Sequence, residues 1–443
     1  MGDLSGGSGG RDRYVDFLRA WAIVLVVFGH WLITGLVRDP NGVITAPELL
    51  ATVPWTQWLT LGFQIMPLFF LAGGHAAGGS WARARNEGRT ATGWVGQRAL
   101  RLLLPAGVYS GLVLVAVSIC SAVGVDPGIL ALVGWAMAMQ FWFLPVYLLL
   151  SAATPVLHLA HRRWGLRVPV VMGMVAVGAD ALVVAVHAPF VGLLNYVLVW
   201  GVAYQLGFCW RDLLLTERSP ATVFMAAGGV VAFAALVSVG PFPVSLILVT
   251  GQSPSNTNPP SAAMLAWAVG QVGVALLLAP VLRRLLEREQ LWGLVRPLGG
   301  ASMTLYLWHM LPVLVVAAFY LTGLAPEPAY ASASWWALRV PWLVVLGVVL
   351  VGVVGVLRPL ERGLAVVYER TRPGDLPLEL PRRPWALWGG MTASVSALIW
   401  FAGHGFAYGG RFPVLPALGL AVGVGLVVVT GRSGADRGVR LGV

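Results

Sequence analysis

Long apolar stretches recur along almost the whole sequence, and they constrain its fold more than any other feature. A helix needs about 20 mostly apolar residues to cross the hydrocarbon core of a bilayer. Helices satisfy all of their backbone groups internally, which lipid requires. The sequence therefore predicts an all-α, polytopic transmembrane helix bundle. We count twelve candidate spans, at residues 15–37, 53–79, 100–124, 130–157, 168–187, 190–209, 221–240, 261–282, 302–323, 337–357, 385–404 and 413–430.

The distribution of arginine supports this count and predicts the orientation. All 29 basic residues are arginines. With a cytoplasmic N-terminus, 25 of them fall in inner segments, Arg19 lies within the first span, and the outer segments hold only Arg38, Arg339 and Arg411. Cytoplasmic loops are enriched in basic residues, so both termini are predicted to be cytoplasmic. Orientation and contact with anionic lipid account for the net charge of +11, and no nucleic-acid partner is expected.

Composition excludes a soluble globular protein. The chain is 58% hydrophobic and 11% charged, whereas soluble chains are about 25% charged. The polar first thirteen residues lack the apolar core of a signal peptide, so the first apolar run is predicted to be a retained helix. Cys120 and Cys209 lie in apolar runs, and no disulfide is expected. These features predict a multi-pass protein of the cell (cytoplasmic) membrane.

The first span carries two ionisable residues, which are expensive inside a membrane and indicate function. Arg19 and His30 are eleven residues apart, so they share one helical face and lie about 16 Å apart along the axis. Asp16, one turn before Arg19, can pair with it. An arginine at the inner rim suits a phosphorylated cytosolic ligand. A neutral histidine deeper in the span suits general-base work on a hydroxyl.

The segment "RYVDFLRAWAIVLVVFGH" (13–30) resembles the opening of the acyltransferase 3 family of integral membrane proteins, whose first helix carries an Arg, ten residues and a His. Four further segments resemble family motifs in the same order: "MPLFFLAGGHAAG" (66–78), "QRALRLLLP" (97–105), "FWFLPVYLLLS" (141–151) and "SMTLYLWHM" (302–310). The ordered set is more specific than any single motif. His75 and the preceding double glycine depart from the Ser-Gly-Phe type of sequence common in the family.

The resemblance implies a ten-helix acyltransferase core followed by an additional hairpin. The corresponding division is a cytoplasmic polar tail (1–13), the membrane acyltransferase domain (14–365), a cytoplasmic linker (366–384), a transmembrane hairpin (385–430) and a cytoplasmic tail (431–443). The implied reaction moves an acyl group, such as acetyl, from acyl-CoA to a hydroxyl of a glycan, a lipid-linked saccharide or a small natural product. Such O-acetylation is expected in a bacterial cell envelope. Acyl-CoA is a co-substrate, and no bound cofactor is expected.

The predicted site residues fall into three groups. His30 is expected to deprotonate the acceptor, while His309 and Tyr306 orient the acyl group or the oxyanion. Arg98 and Arg101, on one helical face at the inner rim, join Arg19 in binding the phosphates of CoA. The supporting residues are Asp16, Trp142 and His75.

Two other functions remain open at this point. Twelve spans with both ends inside are also common in transporters or exporters, and intramembrane Asp, Arg and His can carry protons. Against that reading, the sequence has no visible internal repeat. A scaffold that kept the fold without chemistry is the third reading. The sequence contains no GxSxG elbow, no phosphate-binding loop and no metal-ligand spacing among its seven histidines. It does not separate direct transfer from an acyl-histidine intermediate.

Overall fold

The computed structural model describes residues 12–38, 42, 44–320, 322–323, 327–371 and 384–432. The predicted tails, apart from residues 12–13 and 431–432, and the linker between residues 372 and 383 lie outside this part. Within it the chain is almost entirely helical, with one short antiparallel strand pair, β1 (Val37–Arg38) and β2 (Ile44–Thr45). The structure therefore confirms the all-α prediction.

The described helices vary from single turns to 33 residues. Three further turns are 3₁₀ helices, at Pro54–Leu59, Met139–Trp142 and Tyr408–Gly410. In chain order the α-helices are α1 (Arg13–Ile33), α2 (Leu49–Thr52), α3 (Thr60–Phe63), α4 (Met66–Asn86), α5 (Ala91–Ala122), α6 (Pro127–Ala136), α7 (Phe143–Trp164), α8 (Arg167–Val186), α9 (Pro189–Gly192), α10 (Asn195–Arg211), α11 (Pro220–Ser238), α12 (Ala262–Leu286), α13 (Glu289–Gly300), α14 (Ser302–Trp308), α15 (Leu311–Tyr320), α16 (Ala333–Ala337), α17 (Arg339–Thr371), α18 (Pro384–His404) and α19 (Val414–Arg432).

Eleven helical segments of the described chain are long and apolar enough to cross a membrane. They correspond to the first eleven predicted spans. The twelfth prediction lies in α19, whose apolar part, Val414–Thr430, is shorter than the others. The tenth span continues past its predicted end as α17, which runs to Thr371. Arg362 and Glu369 lie on this extension.

The fourth predicted span is interrupted earlier than expected. For this span, which contains Pro145, the sequence predicts a kink or a partial re-entry; in the structure α6 ends at Ala136 and α7 begins at Phe143, with the Met139–Trp142 turn between them. Pro145 lies in the first turn of α7, where a missing N–H breaks no intrahelical hydrogen bond. Trp142 therefore ends the turn that precedes α7.

Short polar side chains at the loop ends begin several helices. Thr90 accepts a hydrogen bond from the Gly93 backbone N–H, at 3.1 Å. Ser261 accepts one from the Met264 N–H, at 3.2 Å. Such caps satisfy backbone donors that have no partner within the helix. They fix where α5 and α12 begin.

Contacts divide the chain into two compact units, which are described separately. Unit one consists of Met1–Val26, Trp55–Ala76 and Ala160–Ser302. Within it α8 packs on α10 and α11 packs on α12. Gly229 and Gly270 face each other between α11 and α12, so closely that a Cβ on Gly229 would clash with the Gly270 backbone. Small residues that let backbones approach are typical of membrane helix pairs.

Unit two consists of Val27–Pro54, Ala77–Leu159 and Met303–Val443. Here α18 and α19 form a hairpin that packs on α5. Phe406, in the loop of this hairpin, is fully buried against the rings of Tyr109 and Phe141. Its backbone N–H donates to the Gly134 carbonyl at 3.0 Å. The hairpin therefore supports the turn that joins α6 to α7.

Candidate active site

Two of the predicted site residues, His30 and His309, contact each other in unit two. His30 Nδ1 and His309 Nε2 are 2.7 Å apart. The two rings are nearly parallel, with centroids 5.0 Å apart and an interplanar angle of 21°. His30 lies near the end of α1, and His309 follows the last residue of α14. The sequence separates them by 279 positions, so only the fold brings them together.

His309 lies at a break in the ninth span. α14 ends at Trp308 and α15 begins at Leu311. Pro312 explains the break, because it has no N–H to donate to the carbonyl four residues earlier and its ring would clash with that carbonyl. Irregular backbone at membrane depth is tolerated only where its polar groups find other partners.

Side chains satisfy the backbone carbonyls around this break. The Tyr306 carbonyl accepts from His309 Nδ1 at 2.9 Å. The Leu307 carbonyl accepts from Gln140 Nε2 at 3.2 Å. The His309 carbonyl accepts from the indole N–H of Trp31 at 2.7 Å. These bonds fix the position and the orientation of the His309 ring.

The hydrogen-bond partners assign the protons on both rings. A carbonyl only accepts, so His309 Nδ1 carries the proton that it shares with the Tyr306 carbonyl. In a neutral imidazole the other nitrogen is then an acceptor, so His309 Nε2 accepts from His30 Nδ1–H. His30 Nε2 is left with a free lone pair. We call this series, from the Tyr306 carbonyl through His309 to His30, the histidine relay.

The two histidines differ in exposure. His309 is fully buried, with no exposed surface, whereas His30 is half-buried. Of the two residues, only His30 has exposed surface. A lone pair held in a fixed direction on an accessible imidazole is the arrangement that a general base requires.

Tyr306 contributes to the relay through its backbone. Its side chain is buried, and its hydroxyl donates to the Gln140 carbonyl at 2.8 Å. Gln140 Nε2 in turn lies within hydrogen-bond distance of three acceptors, the carbonyls of Met137 and Leu307 and, at 3.1 Å, the hydroxyl of Tyr109, which its two N–H groups share. Gln140 therefore links the Met139–Trp142 turn to α14. Trp142 ends this turn and contacts Phe143 edge to face.

Replacing Gln140 by leucine should lower the free energy of unfolding by about 1–3 kcal/mol. The change removes the donors to buried carbonyls, and an orphaned buried polar group carries its full desolvation penalty. The thermal unfolding midpoint of the protein in detergent would report the loss. Gln290→Leu, at an exposed position of α13, is the matched control. Equal midpoints for the two variants would contradict this role of Gln140.

Three predicted site residues, Arg19, Asp16 and His75, belong to unit one. The guanidinium of Arg19 lies over the ring of Phe69, with its Cζ 5.9 Å from the centroid. Its Nε is buried and has no hydrogen-bond partner among the described residues. The sequence predicts an ion pair between Asp16 and Arg19, but none of the ion pairs among the described residues joins these two side chains. His75 lies against the indole of Trp210, at 4.6 Å between ring centroids.

Arg98 and Arg101 share a face of α5, in unit two, as their spacing predicts. The guanidinium of Arg98 lies 4.7 Å from the ring centroid of Trp94, and the Arg101 side chain is exposed. In the part of the chain that the structure describes, neither arginine has an acidic partner. Both guanidinium groups thus remain available for an anion.

The structure also pairs polar groups that the sequence left unpaired. In unit one, Cys209 Sγ lies 3.8 Å from His161 Nδ1, and His161 Nε2 lies 3.1 Å from Asp212. The sequence shows no paired arrangement of cysteine and histidine, so only the fold brings these two residues together, and Cys209 is fully buried. Asp180, a carboxylate within the fifth predicted span, accepts a hydrogen bond from the Ala262 backbone N–H at 2.8 Å. That N–H begins α12, where backbone donors attract a carboxylate.

A family model described as an acyltransferase domain, of the acyltransferase 3 type, matches residues 12–358. No curated protein and no solved structure matches the chain. The matched region covers most of the sequence and includes both histidines of the relay and all three predicted donor-binding arginines. It confirms the resemblance that the five motifs indicated. The chain belongs to this family and is a membrane acyltransferase.

Proposed function

We propose that this member of the acyltransferase 3 family moves an acyl group from a cytosolic acyl-CoA to a hydroxyl. The acceptor class is a glycan, a lipid-linked saccharide or a small natural product. The observation that carries the proposal is the histidine relay, because it leaves the His30 Nε2 lone pair unoccupied on the more exposed of the two rings.

The relay supports a direct displacement of CoA from the acyl group by the acceptor hydroxyl. His30 Nε2 takes the proton of the acceptor hydroxyl as its oxygen attacks the thioester carbonyl of the donor. The new C–O bond forms, the C–S bond breaks, and CoA leaves as a thiolate. The proton then passes from His30 to the thiolate sulfur. Throughout, His309 Nε2 accepts the hydrogen bond from His30 Nδ1–H and stabilises the transient positive charge on the His30 ring.

The same lone pair also permits a covalent route, in which His30 Nε2 first accepts the acyl group and then gives it to the hydroxyl. The two routes differ before the acceptor is added. A covalent route releases one thiol per protein molecule without acceptor, whereas direct transfer releases none beyond slow hydrolysis.

The test is the release of free thiol from acetyl-CoA and longer acyl-CoAs by the purified protein. A panel of hydroxylated acceptors should reveal at least one that accelerates thiol release and gains the acyl group, as measured by mass spectrometry. Failure of every CoA ester to bind would overturn the donor assignment. Solute movement that depends on a proton gradient and consumes no CoA ester would instead support a transporter.

Replacing Arg19 by alanine should raise the KM for the acyl-CoA donor by about tenfold and leave the acceptor KM unchanged. Hydrogen bonds to charged groups contribute about 1.5–3 kcal/mol, and Arg19 Nε has no partner among the described residues that would compete for it. The measurement is the initial rate of thiol release at varied donor concentration.

Arg13→Ala is the matched control for Arg19. Arg13 lies on the same helix, but its guanidinium already donates to Glu289 at 2.6 Å and to the Leu286 carbonyl at 3.0 Å. We expect its donor KM to stay within about twofold of wild type, since an exposed ion pair contributes little. Equal donor KM values for the Arg13 and Arg19 variants would contradict a donor-binding role for Arg19.

A further inference from the structure

Arg339, the first residue of α17, is a buried cation in unit two. The distribution of arginine along the sequence predicts that it lies on the outer side of the membrane. Its exposed fraction is 6%. Burial of an unpaired charge is expensive, and outer segments of membrane proteins are depleted of arginine. The preference of arginine for cytoplasmic loops therefore does not explain why an arginine is buried at this position. The contacts of its side chain indicate a role in binding.

The described contacts of Arg339 are aromatic rings and one carbonyl. Its Cζ lies 3.9 Å from the ring centroid of Trp335 and 4.9 Å from that of Trp342. Nη1 donates to the Thr34 carbonyl at 2.8 Å, while Nε is buried without a partner among the described residues. No carboxylate in that part of the chain pairs with Arg339. By contrast Arg38, another outer arginine, pairs with Glu327 at 3.1 Å.

Close packing holds the rings around this guanidinium. Gly35 lies next to Thr34, and a Cβ on it would lie 2.7 Å from the ring of Tyr330 and 3.3 Å from that of Trp335. The absence of a side chain at Gly35 therefore lets Trp335 and Tyr330 approach α1. The Arg339 side chain is fixed against this surface, which reduces the entropy lost when it binds a ligand.

The Arg339 site is joined to the histidine relay by hydrogen bonds. Thr34, whose carbonyl Arg339 binds, is four residues after His30, about 6 Å along the axis of α1. Its hydroxyl donates to the His30 carbonyl at 2.7 Å. From the other side, the indole N–H of Trp342 donates to the Trp31 carbonyl at 2.9 Å. A group bound at Arg339 would therefore lie about one to two helical turns from His30.

We propose that Arg339 binds an oxyanion, a carboxylate or a phosphate, of the acyl acceptor, and so positions the acceptor hydroxyl at His30. The substrate class is then a hydroxylated compound that carries an acidic group near the hydroxyl, such as a sugar acid or a sugar phosphate. A guanidinium presents several N–H groups in one plane, which suits an oxyanion. The inference deepens the proposed function and rests on it for the reaction itself.

The test compares acceptors that share the hydroxyls at C2, C3 and C4 and differ in the group at C6, which is neutral, a carboxylate or a phosphate. Methyl galactoside, methyl galacturonide and methyl galactoside 6-phosphate are offered to wild type with acetyl-CoA, and acyl transfer is measured as kcat/KM. We expect one or both acidic probes to be preferred over the neutral one by about 10–100-fold, the range of a hydrogen bond to a charged group. The better of the two acidic probes identifies carboxylate or phosphate. Equal rates on all three probes would overturn the proposal.

Arg339→Met removes the charge and keeps a long side chain. It should abolish the preference, so that kcat/KM on each acidic probe falls to about that on methyl galactoside in the same variant, and it should leave the donor KM unchanged. Arg339→Lys keeps the charge and should retain part of the preference; it also covers the case in which the methionine variant does not fold. Arg38→Met, which loses an arginine already paired with Glu327, is the control and should keep the wild-type preference. Loss of preference in Arg38→Met alone would overturn the assignment to Arg339.

Equilibrium binding separates this inference from the proposed reaction. Titration calorimetry of the acidic probes against wild type and Arg339→Met requires no donor. Binding that disappears in Arg339→Met, in a protein that releases no thiol from any acyl-CoA, would support the oxyanion site and contradict acyl-CoA transfer. Thiol release without any Arg339-dependent binding or preference would support the transfer and overturn the site.

Discussion

Replacing His30 by alanine should lower kcat for acyl transfer by about 10²–10⁴-fold, the usual contribution of a positioned general base. In the histidine relay both Nδ1 atoms donate their protons and His309 Nε2 accepts from His30, so only His30 Nε2 keeps a free lone pair. Alanine removes that lone pair, and the acceptor hydroxyl then has no base. The donor KM should change little, because His30 acts on the acceptor. Thiol release and acyl transfer at saturating donor measure both constants.

A histidine outside the relay provides the control. His404, at the end of α18 in the same unit, is exposed and stacks on Trp400, with ring centroids 4.8 Å apart. His404→Ala should keep wild-type kcat within about twofold. Both variants need a single symmetric peak in size-exclusion chromatography, so that a folding defect is not read as lost chemistry. A His30→Ala protein that folds and transfers acyl groups at the wild-type rate would contradict the proposed base.

The sequence predicts the membrane fold well because the bilayer imposes a simple rule. Apolar stretches of sufficient length become helices, and eleven of the twelve predicted spans correspond to helical segments of the described chain that are long and apolar enough to cross a membrane. The internal breaks are harder to predict, because they depend on what satisfies the freed backbone groups. Pro145 and Pro312 both lie in the first turn of a helix that follows a break, but neither residue shows where the preceding helix ends. At the break before Pro312, Gln140 and Trp31 supply the hydrogen-bond partners that make it tolerable.

The candidate site could be predicted in part. The position of an arginine and a histidine within the first span identified Arg19 and His30, because ionisable groups inside a membrane are rare and functional. The resemblance to the acyltransferase 3 family added His309. The sequence did not predict that the two histidines touch, nor that Gln140 fixes the relay, since contacts between distant segments leave no local pattern. Arg339 was counted only as an outer arginine, and its burial among tryptophans appears only in the folded chain.

Replacing His309 by leucine should lower kcat by about 10²-fold and leave the donor KM unchanged. Leucine cannot accept from His30 Nδ1–H or donate to the Tyr306 carbonyl. The His30 ring would then lose both its fixed orientation and the preference for the tautomer with a free Nε2. A misplaced reacting group costs about this factor in rate. The loss appears in kcat because His309 is fully buried and acts on the substrate only through His30.

His309→Gln distinguishes positioning from a merely structural role. Its amide can accept from His30 Nδ1–H through oxygen and donate to the Tyr306 carbonyl through nitrogen, so both bonds of the relay can re-form. We expect His309→Gln to recover about tenfold of the rate that leucine loses, at an unchanged donor KM. If His309 only filled space, leucine would be tolerated at least as well as glutamine, because it packs an apolar volume without a polar group to satisfy. Equal kcat values for the two variants would therefore contradict the relay. Recovery of the rate by glutamine alone would show that His309 orients the His30 ring.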